Sequence, residues 1–347
     1  MNLFDISVKF PQENIAIITE DDISISYIEL DNFAEFLKDK IPSRSLIFSL
    51  NKNTLGSLVG YYSFIKNKVV PLMLDAKMDI QLINSLIACY KPEYLWLPKD
   101  DSTNFPKSNI ICSLFDYSLI KLKNCYNQLL HEDLALLLAT SGSTGSPKVV
   151  KLTYQNIESN TLSIIEYLSI NQNERPITTL PMSYSFGLSI INSHLSSGAT
   201  LLLTNRSLFE KEFWSFLKKE KATSLSGVPY TFDMLKKLRF TRMDLPHLQT
   251  LTQAGGKMNK DLNNDFVEFC KVSKKRFFVM YGQTEATARM SYLSHEFALS
   301  KMGSIGLAIP NGRFSLINEA GETIKESNII GELVYEGPNV SMGYGII

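Results

Sequence analysis

Short apolar runs alternate along this chain with turns and with segments whose apolar residues recur at helical spacing. Residues 46–50 and 134–139 have the leucine-rich or β-branched character of buried strands. Ser26 and Glu29 have the spacing of a capping box, and the residues that follow repeat apolar side chains on one helical face; Thr153 can cap a later helix. Alternation of strand and helix patterns is typical of α/β layers built on mostly parallel sheets. We therefore predict an α/β fold.

The expected strands end in a way that predicts where a ligand binds. Several are followed directly by glycine, as at Gly227, Gly255 and Gly282. Ligands bind at the carboxyl ends of strands in open α/β sheets, so several loops of this kind indicate one converging site. Beyond Lys301 the helical periodicity fades, which predicts a small β-rich subdomain. Further strands are expected at residues 69–72, 148–152, 177–180, 199–204, 222–226, 248–252 and 277–280.

Charge, cysteine usage and hydropathy exclude several classes of protein. The 347 residues contain 35 lysines plus arginines and 35 aspartates plus glutamates, so the chain lacks the basic excess of a nucleic-acid-binding protein. The four cysteines form no CxxC pair, and the four histidines lack the spacing of metal ligands. No apolar run is long enough for a signal peptide or a membrane span. We expect a cytoplasmic protein whose partners are small molecules or another protein.

The segment 136–152 has the strongest chemical signature. Glycines and hydroxyl side chains fill the loop between two expected strands, where their N–H and O–H groups suit a phosphate chain and a lysine adds positive charge. The spacing differs from GxxxxGK[ST], and a strand rather than a helix follows. A serine/glycine surface linker is the alternative, but linkers seldom follow a buried strand directly. The phosphate-binding candidates are Thr140, Ser141, Gly142, Ser143, Thr144, Gly145 and Lys148.

A second segment, 277–287, places an aromatic ring, a glycine, a hydroxyl and a carboxylate at the end of an expected strand. Tyr281 is suited to stack on a base, and Gly282 lets the backbone approach a ligand closely. Thr284 offers a hydroxyl. Glu285 suits magnesium beside a triphosphate, because Mg²⁺ takes one or two carboxylates plus phosphate oxygens. On this segment alone, a helix N-terminus with Thr284 as its cap is an equally good interpretation.

Together the two segments carry a resemblance to a known family. TSGSTGSPK resembles the phosphate-loop motif of the adenylate-forming (AMP-binding) superfamily, and YGQTEAT resembles its YGxTE motif. That superfamily contains acyl-CoA synthetases, luciferases and the adenylation domains of peptide synthetases. Weaker matches occur in family order over nearly the whole chain, namely ISYIEL, VVPLMLD, LPMSYSFGLS, GVPYTFDML, QAGGKM and GELVYEGPNVSMGY.

The resemblance implies the function of an ATP-dependent, AMP-forming acid–thiol ligase. In such enzymes a carboxylate attacks the α-phosphorus of Mg·ATP, pyrophosphate leaves, and the acyl adenylate passes to coenzyme A or to a phosphopantetheinyl carrier protein. Chemistry of this kind depends mostly on positioning and charge stabilisation. The implied roles are phosphate binding by residues 140–145 and Lys148, an adenine slot of Gly255, Gly256 and Tyr281 next to Gly282, contact with the α-phosphate by Thr284, and magnesium binding by Glu285.

The resemblance also implies a pocket for a small carboxylic acid. Tyr184 stands where many acyl-CoA synthetases have histidine, so an aromatic wall replaces a proton-transfer group. Ser185 stands near the aspartate with which peptide-synthetase domains bind an α-ammonium group, and a neutral serine disfavours a free α-amino acid. The identity of the acid, the thiol acceptor and the oligomeric state stay open. The implied pocket residues are Tyr184, Ser185, Phe186, Gly187, Val228 and Gly255.

On this basis we expect a layered αβαβα arrangement of two mostly parallel sheets with a small β-rich, barrel-like subdomain at the C-terminal end. The expected divisions are 1–170 with the phosphate loop, 171–300 with the acyl pocket and the adenine and magnesium site, and 301–347 as the start of the β-rich subdomain. Two other functions remain as alternatives: a non-catalytic nucleotide- or acyl-binding module, and a serine hydrolase. The hydrolase is disfavoured because the sequence contains no GxSxG elbow.

We predict that the isolated chain binds nucleotide and acid but forms adenylate slowly. In the family, the catalytic lysine lies in a small C-terminal domain that we expect to be absent here, and Lys148 belongs to the pyrophosphate side of the site. A steady-state assay of adenylate formation by the chain alone measures this. Turnover in the ordinary enzymatic range, about 1–1,000 per second, would contradict the prediction.

Overall fold

Strands and helices alternate in the first half of the chain, as the apolar pattern predicts. A computed structural model describes residues 10–11, 13–106, 108–123, 129–140 and 148–345. The elements of this half are β1 (Ile15–Thr19), β2 (Ser24–Ser26), α1 (Tyr27–Lys38), β3 (Leu46–Asn51), α2 (Leu55–Lys66), β4 (Val70–Asp75), α3 (Ile80–Tyr90), β5 (Tyr94–Pro98), a 3₁₀ helix (Lys99–Asn104), β6 (Asn109–Leu114), β7 (Tyr117–Lys121), β8 (Leu134–Thr140), β9 (Lys148–Thr153) and α4 (Tyr154–Leu168).

The second half continues the alternation and then changes to short strands alone. Its elements are β10 (Pro176–Ile177), α5 (Ser185–Leu195), β11 (Leu201–Leu203), α6 (Lys211–Lys219), β12 (Ser224–Gly227), α7 (Pro229–Lys237), a 3₁₀ turn (Phe240–Arg242), β13 (Thr250–Gln253), α8 (Lys260–Val272), β14 (Arg276–Tyr281), a 3₁₀ turn (Thr284–Ala286), β15 (Ser291–Leu293), β16 (Leu307–Ala308), β17 (Arg313–Ile317) and β18 (Glu332–Glu336).

Side-chain caps fix the starts of two helices where the sequence predicts them. At α1, the Glu29 carboxylate accepts the Ser26 backbone N–H at 2.7 Å, and the Ser26 hydroxyl accepts the Glu29 N–H at 3.4 Å. At α4, Thr153 and Asn156 exchange the same pair of bonds at 2.9 and 3.0 Å. A cap of this kind contributes about 1 kcal/mol. The caps therefore set the residue at which each chain segment leaves its strand.

The first large sheet has seven strands in the order β6-β7-β5-β3-β4-β8-β9. Its four central strands, β5, β3, β4 and β8, pair in parallel. The outer strands pair antiparallel on both sides, with β7 against β5, β6 against β7 and β9 against β8. The parallel centre places the carboxyl end of β8, at Thr140, on the same edge as those of β3, β4 and β5.

The second large sheet has nine strands in the order β16-β15-β14-β13-β12-β10-β11-β1-β2. The run from β1 to β14 is parallel throughout. Only the outermost pairings, β1 with β2 and β14 with β15 with β16, are antiparallel. The carboxyl ends of β12, β13 and β14 therefore lie side by side, which brings together the glycine-containing loops that follow them.

Two helices, α2 and α5, form a buried layer between the sheets. Residues 55–65 of α2 and all eleven residues of α5 are buried, and a helix buried all round has to lie between other layers. The Tyr61 hydroxyl of α2 donates to Asn192 Oδ1 of α5 at 2.8 Å. One apolar cluster joins Leu58 of α2 to Leu138 of the first sheet and Leu201 of the second. This layer confirms the expected α/β fold of two mostly parallel sheets.

The C-terminal region forms a small sheet in which β17 and β18 pair antiparallel. It agrees with the expected β-rich end of the chain. The division of the chain at residue 170 stays a prediction, and β1 and β2, from before that residue, complete the second large sheet. Among the helices of the described residues, none combines the length and the apolar character needed to cross a bilayer.

The strand expected at residues 177–180 is shorter than the sequence predicts. The apolar pattern indicates strand over residues 177–180, whereas β10 contains only Pro176 and Ile177. The Leu180 carbonyl accepts a hydrogen bond from Asn53 Nδ2 at 3.0 Å instead of a neighbouring strand, and Pro181 has no N–H for a ladder. The chain therefore leaves the sheet early and turns into α5.

We predict that His194, on α5, makes the stability of the fold depend on mildly acidic pH. Burial lowers the pKa of His194 to about 4, and its Nδ1 lies 2.8 Å from the Ile190 carbonyl. An exposed histidine titrates near 6.5, so the unfolded chain binds a proton first. This contribution to the free energy of unfolding is complete above pH 6.5 and is lost as the pH falls toward 4, by up to about 1.4 kcal/mol per pH unit.

Urea unfolding at a series of pH values between 7 and 4.5 measures this slope. The His194→Gln variant should show a flatter profile, whereas His247→Gln, at an exposed position, should keep the parental one. Some slope remains in His194→Gln, because partial burial also lowers the pKa of His295. Identical profiles for His194→Gln and the parent chain would show that His194 does not carry the effect.

Candidate active site

A cavity of about 390 Å³ lies where the carboxyl ends of strands from both sheets meet the start of α5. This is the position at which open α/β sheets bind ligands. It brings together nine residues that the sequence predicts for the site, and four others that it does not. The nine are Thr140, Lys148, Tyr184, Ser185, Phe186, Gly255, Gly282, Thr284 and Glu285, and the four are Ala254, Gln283, Ala288 and Tyr344.

Four further predicted residues lie next to this cavity without lining it. Val228 packs against the position of Gly255, and Gly256 lies against Pro229. Tyr281 ends β14 directly before Gly282, with 38% of its surface exposed. Gly187 follows Phe186 on α5, where its Cα faces the Pro181 carbonyl. The predicted phosphate-loop residues Ser141, Gly142, Ser143, Thr144 and Gly145 lie outside the described residues.

Two glycines allow the backbone to form the walls of the cavity. Gly255 has a φ of +79°, and a Cβ there would lie 2.6 Å from the Tyr184 hydroxyl. At Gly282, a Cβ would lie 1.9 Å from the Ala288 carbonyl oxygen. A side chain at the first position would be strained by its backbone conformation, and one at the second would collide with backbone. Both positions therefore require glycine.

The segment after β14 forms a 3₁₀ turn, Thr284–Ala286, rather than the start of a longer helix. Gln283 occupies the capping position and makes no side-chain cap, so Thr284 does not have the capping role that its sequence position also suggested. The Thr284 hydroxyl instead lies 3.2 Å from that of Ser185. Two hydroxyls from different elements, β14's loop and α5, thus point at the same part of the cavity.

The Glu285 carboxylate is held by Tyr344, a residue to which the sequence analysis assigned no role. The Tyr344 hydroxyl donates to Glu285 Oε1 at 2.7 Å, and this hydrogen bond raises the pKa of Tyr344. Lys148 Nζ lies 5.1 Å from the centre of the Tyr344 ring. A carboxylate, a phenol and an ammonium group are therefore neighbours on one wall of the cavity.

Glu285 has the surroundings that a magnesium ligand needs. None of the ion pairs between described residues includes Glu285, so no described lysine or arginine is directly paired with it. No group of three or more histidines, cysteines, aspartates or glutamates in the described part of the chain forms a metal site. A single carboxylate suits Mg²⁺, which draws its remaining ligands from phosphate oxygens and water.

The C-terminal strap, which we define as residues 337–345, fixes this wall. The buried Asn339 side chain donates to the carbonyls of Ala286 and Arg289 at 2.7 and 2.9 Å. The Ser341 N–H donates to the Glu285 carbonyl at 2.8 Å, and the Lys151 N–H donates to the Gly343 carbonyl at 2.9 Å. The strap thus ties the loop after β14 to β9.

Sequence reasoning missed the strap residues and also Arg289. The strap lies within the segment GELVYEGPNVSMGY, so the motif was visible while the roles of Asn339 and Tyr344 were not.

Arg289 is 1% exposed and its guanidinium carbon lies 3.8 Å from the centre of the Phe186 ring. The only signal in the sequence is an arginine among residues that otherwise read as buried, between Ala288 and Met290.

The curated relatives of this chain include two CoA-dependent enzymes by name. Feruloyl-CoA synthase from an Amycolatopsis species is 29% identical over 216 residues, which are 61% of this chain and 43% of that protein. 2-Succinylbenzoate–CoA ligase from Oceanobacillus iheyensis is 25% identical over 345 residues, which are 95% of this chain and 68% of that protein. The match thus spans less than half of the first relative's length and about two thirds of the second's.

A solved structure and a family model cover more of the chain. O-succinylbenzoate coenzyme A synthetase from Bacillus subtilis, in complex with ATP and magnesium, superposes with a TM-score of 0.80 at 20% identity, over 99% of this chain and 72% of that one. A likeness at this identity establishes the fold. The family model for AMP-binding enzymes matches residues 6–345. Because that match covers nearly every residue from the first sheet to the C-terminal strap, the chain belongs to the AMP-binding enzyme family.

Proposed function

We propose that this chain binds Mg·ATP in the cavity and activates a small carboxylic acid as its acyl adenylate, which then forms a thioester with a thiol. The observation that carries the proposal is the grouping of Lys148, Thr284 and Glu285 around one cavity at the carboxyl edges of two sheets. A cation, a hydroxyl and an unpaired carboxylate suit a phosphate chain with its magnesium ion. Membership of the AMP-binding enzyme family supports the same nucleotide.

In the proposed arrangement, the phosphates, the magnesium ion and the adenine ring bind different residues of the site. Lys148 and Thr140 lie at the end where β8 and β9 meet, and they take the β- and γ-phosphates together with residues 141–145. Thr284 contacts the α-phosphate, and Glu285 holds magnesium, which neutralises phosphate charge when bound. Gly255, Gly256 and Tyr281 form the adenine slot, since the two glycines follow β13 and the exposed Tyr281 ends the neighbouring strand β14.

The residues of the chain act mainly by orientation and charge. Tyr344 fixes one oxygen of the Glu285 carboxylate, so its other oxygen keeps one direction toward the cavity. The paired hydroxyls of Ser185 and Thr284 lie where charge develops on the α-phosphate oxygens and the attacking carboxylate. Groups that are held in place before the reaction stabilise this charge without reorganising, which is how electrostatic catalysis works. No proton transfer by histidine is required.

The acid lies on the α5 side of the cavity in this proposal. Tyr184 and Phe186 supply aromatic walls, Gly187 and Val228 lie next to the cavity, and Ser185 stands at the reacting end. Glu285 is the one carboxylate among the described residues that line this cavity, and the proposal assigns it to magnesium. An α-ammonium group would therefore have no partner, which favours a simple carboxylic acid over a free α-amino acid.

Coenzyme A is the proposed thiol. The two curated relatives described above are named as a CoA synthase and a CoA ligase, which supports this choice. A phosphopantetheinyl carrier protein presents the same thiol on the same arm and is the alternative acceptor. Thioester assays with coenzyme A and with a loaded carrier distinguish the two.

Binding of Mg·ATP should raise the thermal stability of the chain. A ligand at about 100 times its Kd adds roughly 2.7 kcal/mol to the native state. Differential scanning fluorimetry with and without Mg·ATP measures the shift. We expect Glu285→Gln and Tyr281→Ala each to abolish or greatly reduce it. Glu296→Gln, which removes an exposed carboxylate outside the cavity, should leave it intact. A full shift in Glu285→Gln would remove the magnesium role, and no shift in the parent chain would refute nucleotide binding here.

The adenine slot gives a second prediction. Gly255→Ala should destabilise the chain by about 1–2 kcal/mol, because alanine resists a positive φ, and it should also abolish the ATP-induced shift. Gly256→Ala is the matched control for stability, since its new Cβ would lie 3.2 Å from the Pro229 ring without a positive φ. Urea unfolding measures the stability difference. Equal stability of the two variants would contradict the backbone argument.

A further inference from the structure

An arginine without a counter-charge lies in the interior, directly behind the acid side of the candidate site. Arg289 Nη2 donates to the Ser189 hydroxyl at 3.1 Å. Its Nε and Nη1 atoms are buried and have no hydrogen-bond partner among the described residues. None of the ion pairs in the described part of the chain includes Arg289. The guanidinium thus has unused donors and an unbalanced charge.

The carboxylate that shares the surroundings of Arg289 is already used. Glu174 lines the same small cavity, but its Oε1 lies 3.7 Å from Arg276 Nη2, and its Oε2 accepts the Thr223 hydroxyl. Arg276 balances Glu174, and His194 is neutral near pH 7 because burial lowers its pKa to about 4. The lining of this cavity therefore carries one net positive charge, that of Arg289.

An unpaired charge of this kind is strongly unfavourable in a protein interior, and burial lowers the pKa of Arg289. The contact with the Phe186 ring offsets only part of that penalty. A purely structural arginine would be expected to have a carboxylate partner on a neighbouring element. The missing partner is therefore expected to come from outside the chain, as an anion.

Phe186 lies between Arg289 and the cavity of the candidate active site. This side chain lines the large cavity of the candidate active site and covers the face of the guanidinium. The small cavity behind it has a volume of about 20 Å³, which is room for about one water molecule. The hydroxyls of Ser226 and Thr252 lie along its wall and are hydrogen-bonded to each other. A group larger than water would reach Arg289 only if the Phe186 ring turned aside.

The separation from the reacting end fits a short molecule. Ser185, beside Thr284, and Ser189, bonded to Arg289, are one turn apart on α5. One turn of helix spans roughly 6 Å along its axis. An acid whose reacting carboxylate lies at Ser185 and Thr284 therefore reaches the guanidinium with a second group only a few atoms away.

We propose that the acid activated by this chain is a short dicarboxylic acid whose second carboxylate binds unused N–H groups of the Arg289 guanidinium. The inference rests on the function proposed above and names the substrate class of that site. A carboxylate pairs with a guanidinium through charge-assisted hydrogen bonds, which are stronger than those between neutral groups. A monocarboxylic acid of the same length leaves those N–H groups unpaired, so the site discriminates against it.

Matched pairs of acids test the proposal with the unmodified chain. Isothermal titration calorimetry compares glutarate with valerate and succinate with butyrate, and ATP–pyrophosphate exchange compares kcat/KM for the same pairs. We expect the dicarboxylic acid of at least one pair to be preferred by about 10- to 100-fold, the effect of a hydrogen bond to a charged group. Equal affinity within both pairs, or no binding of either dicarboxylic acid, overturns the inference.

Variants of Arg289 separate recognition from packing. Arg289→Met should remove the preference for the dicarboxylic acid while binding of the monocarboxylic acid stays the same or improves, and Arg289→Lys should retain a part of it. Arg313→Met, at an exposed ion pair with Glu336, is the matched control and should keep the full preference. An unchanged preference in a folded Arg289→Met chain overturns the proposal.

Two measurements keep these outcomes distinct. Thermal unfolding of each variant reports whether it folds, and if Arg289→Met does not, the preference of the parent chain and of Arg289→Lys decides the question. The ATP-induced thermal shift, recorded on the same samples, reports on the proposed function separately. A normal ATP shift with no discrimination between the paired acids refutes the dicarboxylic acid and leaves nucleotide binding intact.

Discussion

The buried helical layer between the two sheets is the constraint on which the rest of the molecule depends. Because α2 and α5 are covered on every side, the sheets have to pack against opposite faces of the same two helices. The contact of Tyr61 with Asn192 satisfies two polar groups that would otherwise be buried without partners. The N-terminal end of α5 is thereby fixed at the strand ends, and it carries Tyr184, Ser185 and Phe186 into the cavity.

Two parts of the structure position the residues of the candidate site: the strand ends of the sheets and the C-terminal strap. Loops that follow parallel strands converge because the sheet aligns the strand ends, and this places Gly255, Gly282 and Thr284 without further help. The Glu285 carboxylate needs further contacts to be oriented, since the short 3₁₀ turn that carries it provides few. The C-terminal strap supplies backbone bonds and the Tyr344 hydroxyl. The sheet therefore positions the cavity, and the strap orients its one unpaired acid.

The sequence predicts those features whose causes are local. The capping boxes at Ser26 and Thr153 and the glycines after the strands depend on a few neighbouring residues, so spacing alone reveals them. The pairing of Ile17 with Leu201 joins residues far apart in the chain, and no local pattern encodes it. The early end of β10 depends on Asn53 from the other sheet.

The same distinction applies to the site. Thr284 and Glu285 are visible in a short motif, and the cavity contains both. The role of Tyr344 depends on a strap that returns to β9, and the isolation of Arg289 depends on which carboxylates are elsewhere engaged. Both depend on contacts that form only when the chain folds, so a local sequence pattern does not reveal them. The phosphate-loop residues 141–145 and the roles of all the site residues stay predictions.

The hydrogen bond between Tyr344 and Glu285 couples any binding of a cation at Glu285 to the attachment of the C-terminal strap. Whatever binds the Glu285 carboxylate acts on a group that also accepts the Tyr344 hydroxyl of the strap, while the backbone carbonyl of the same residue accepts the Ser341 N–H. If a cation strengthens the attachment of the strap, then attachment of the strap strengthens the binding of the cation by the same factor, because the free energy that couples them is shared. If a divalent ion binds here, its affinity is therefore also a measure of how firmly the last residues of the described chain are docked.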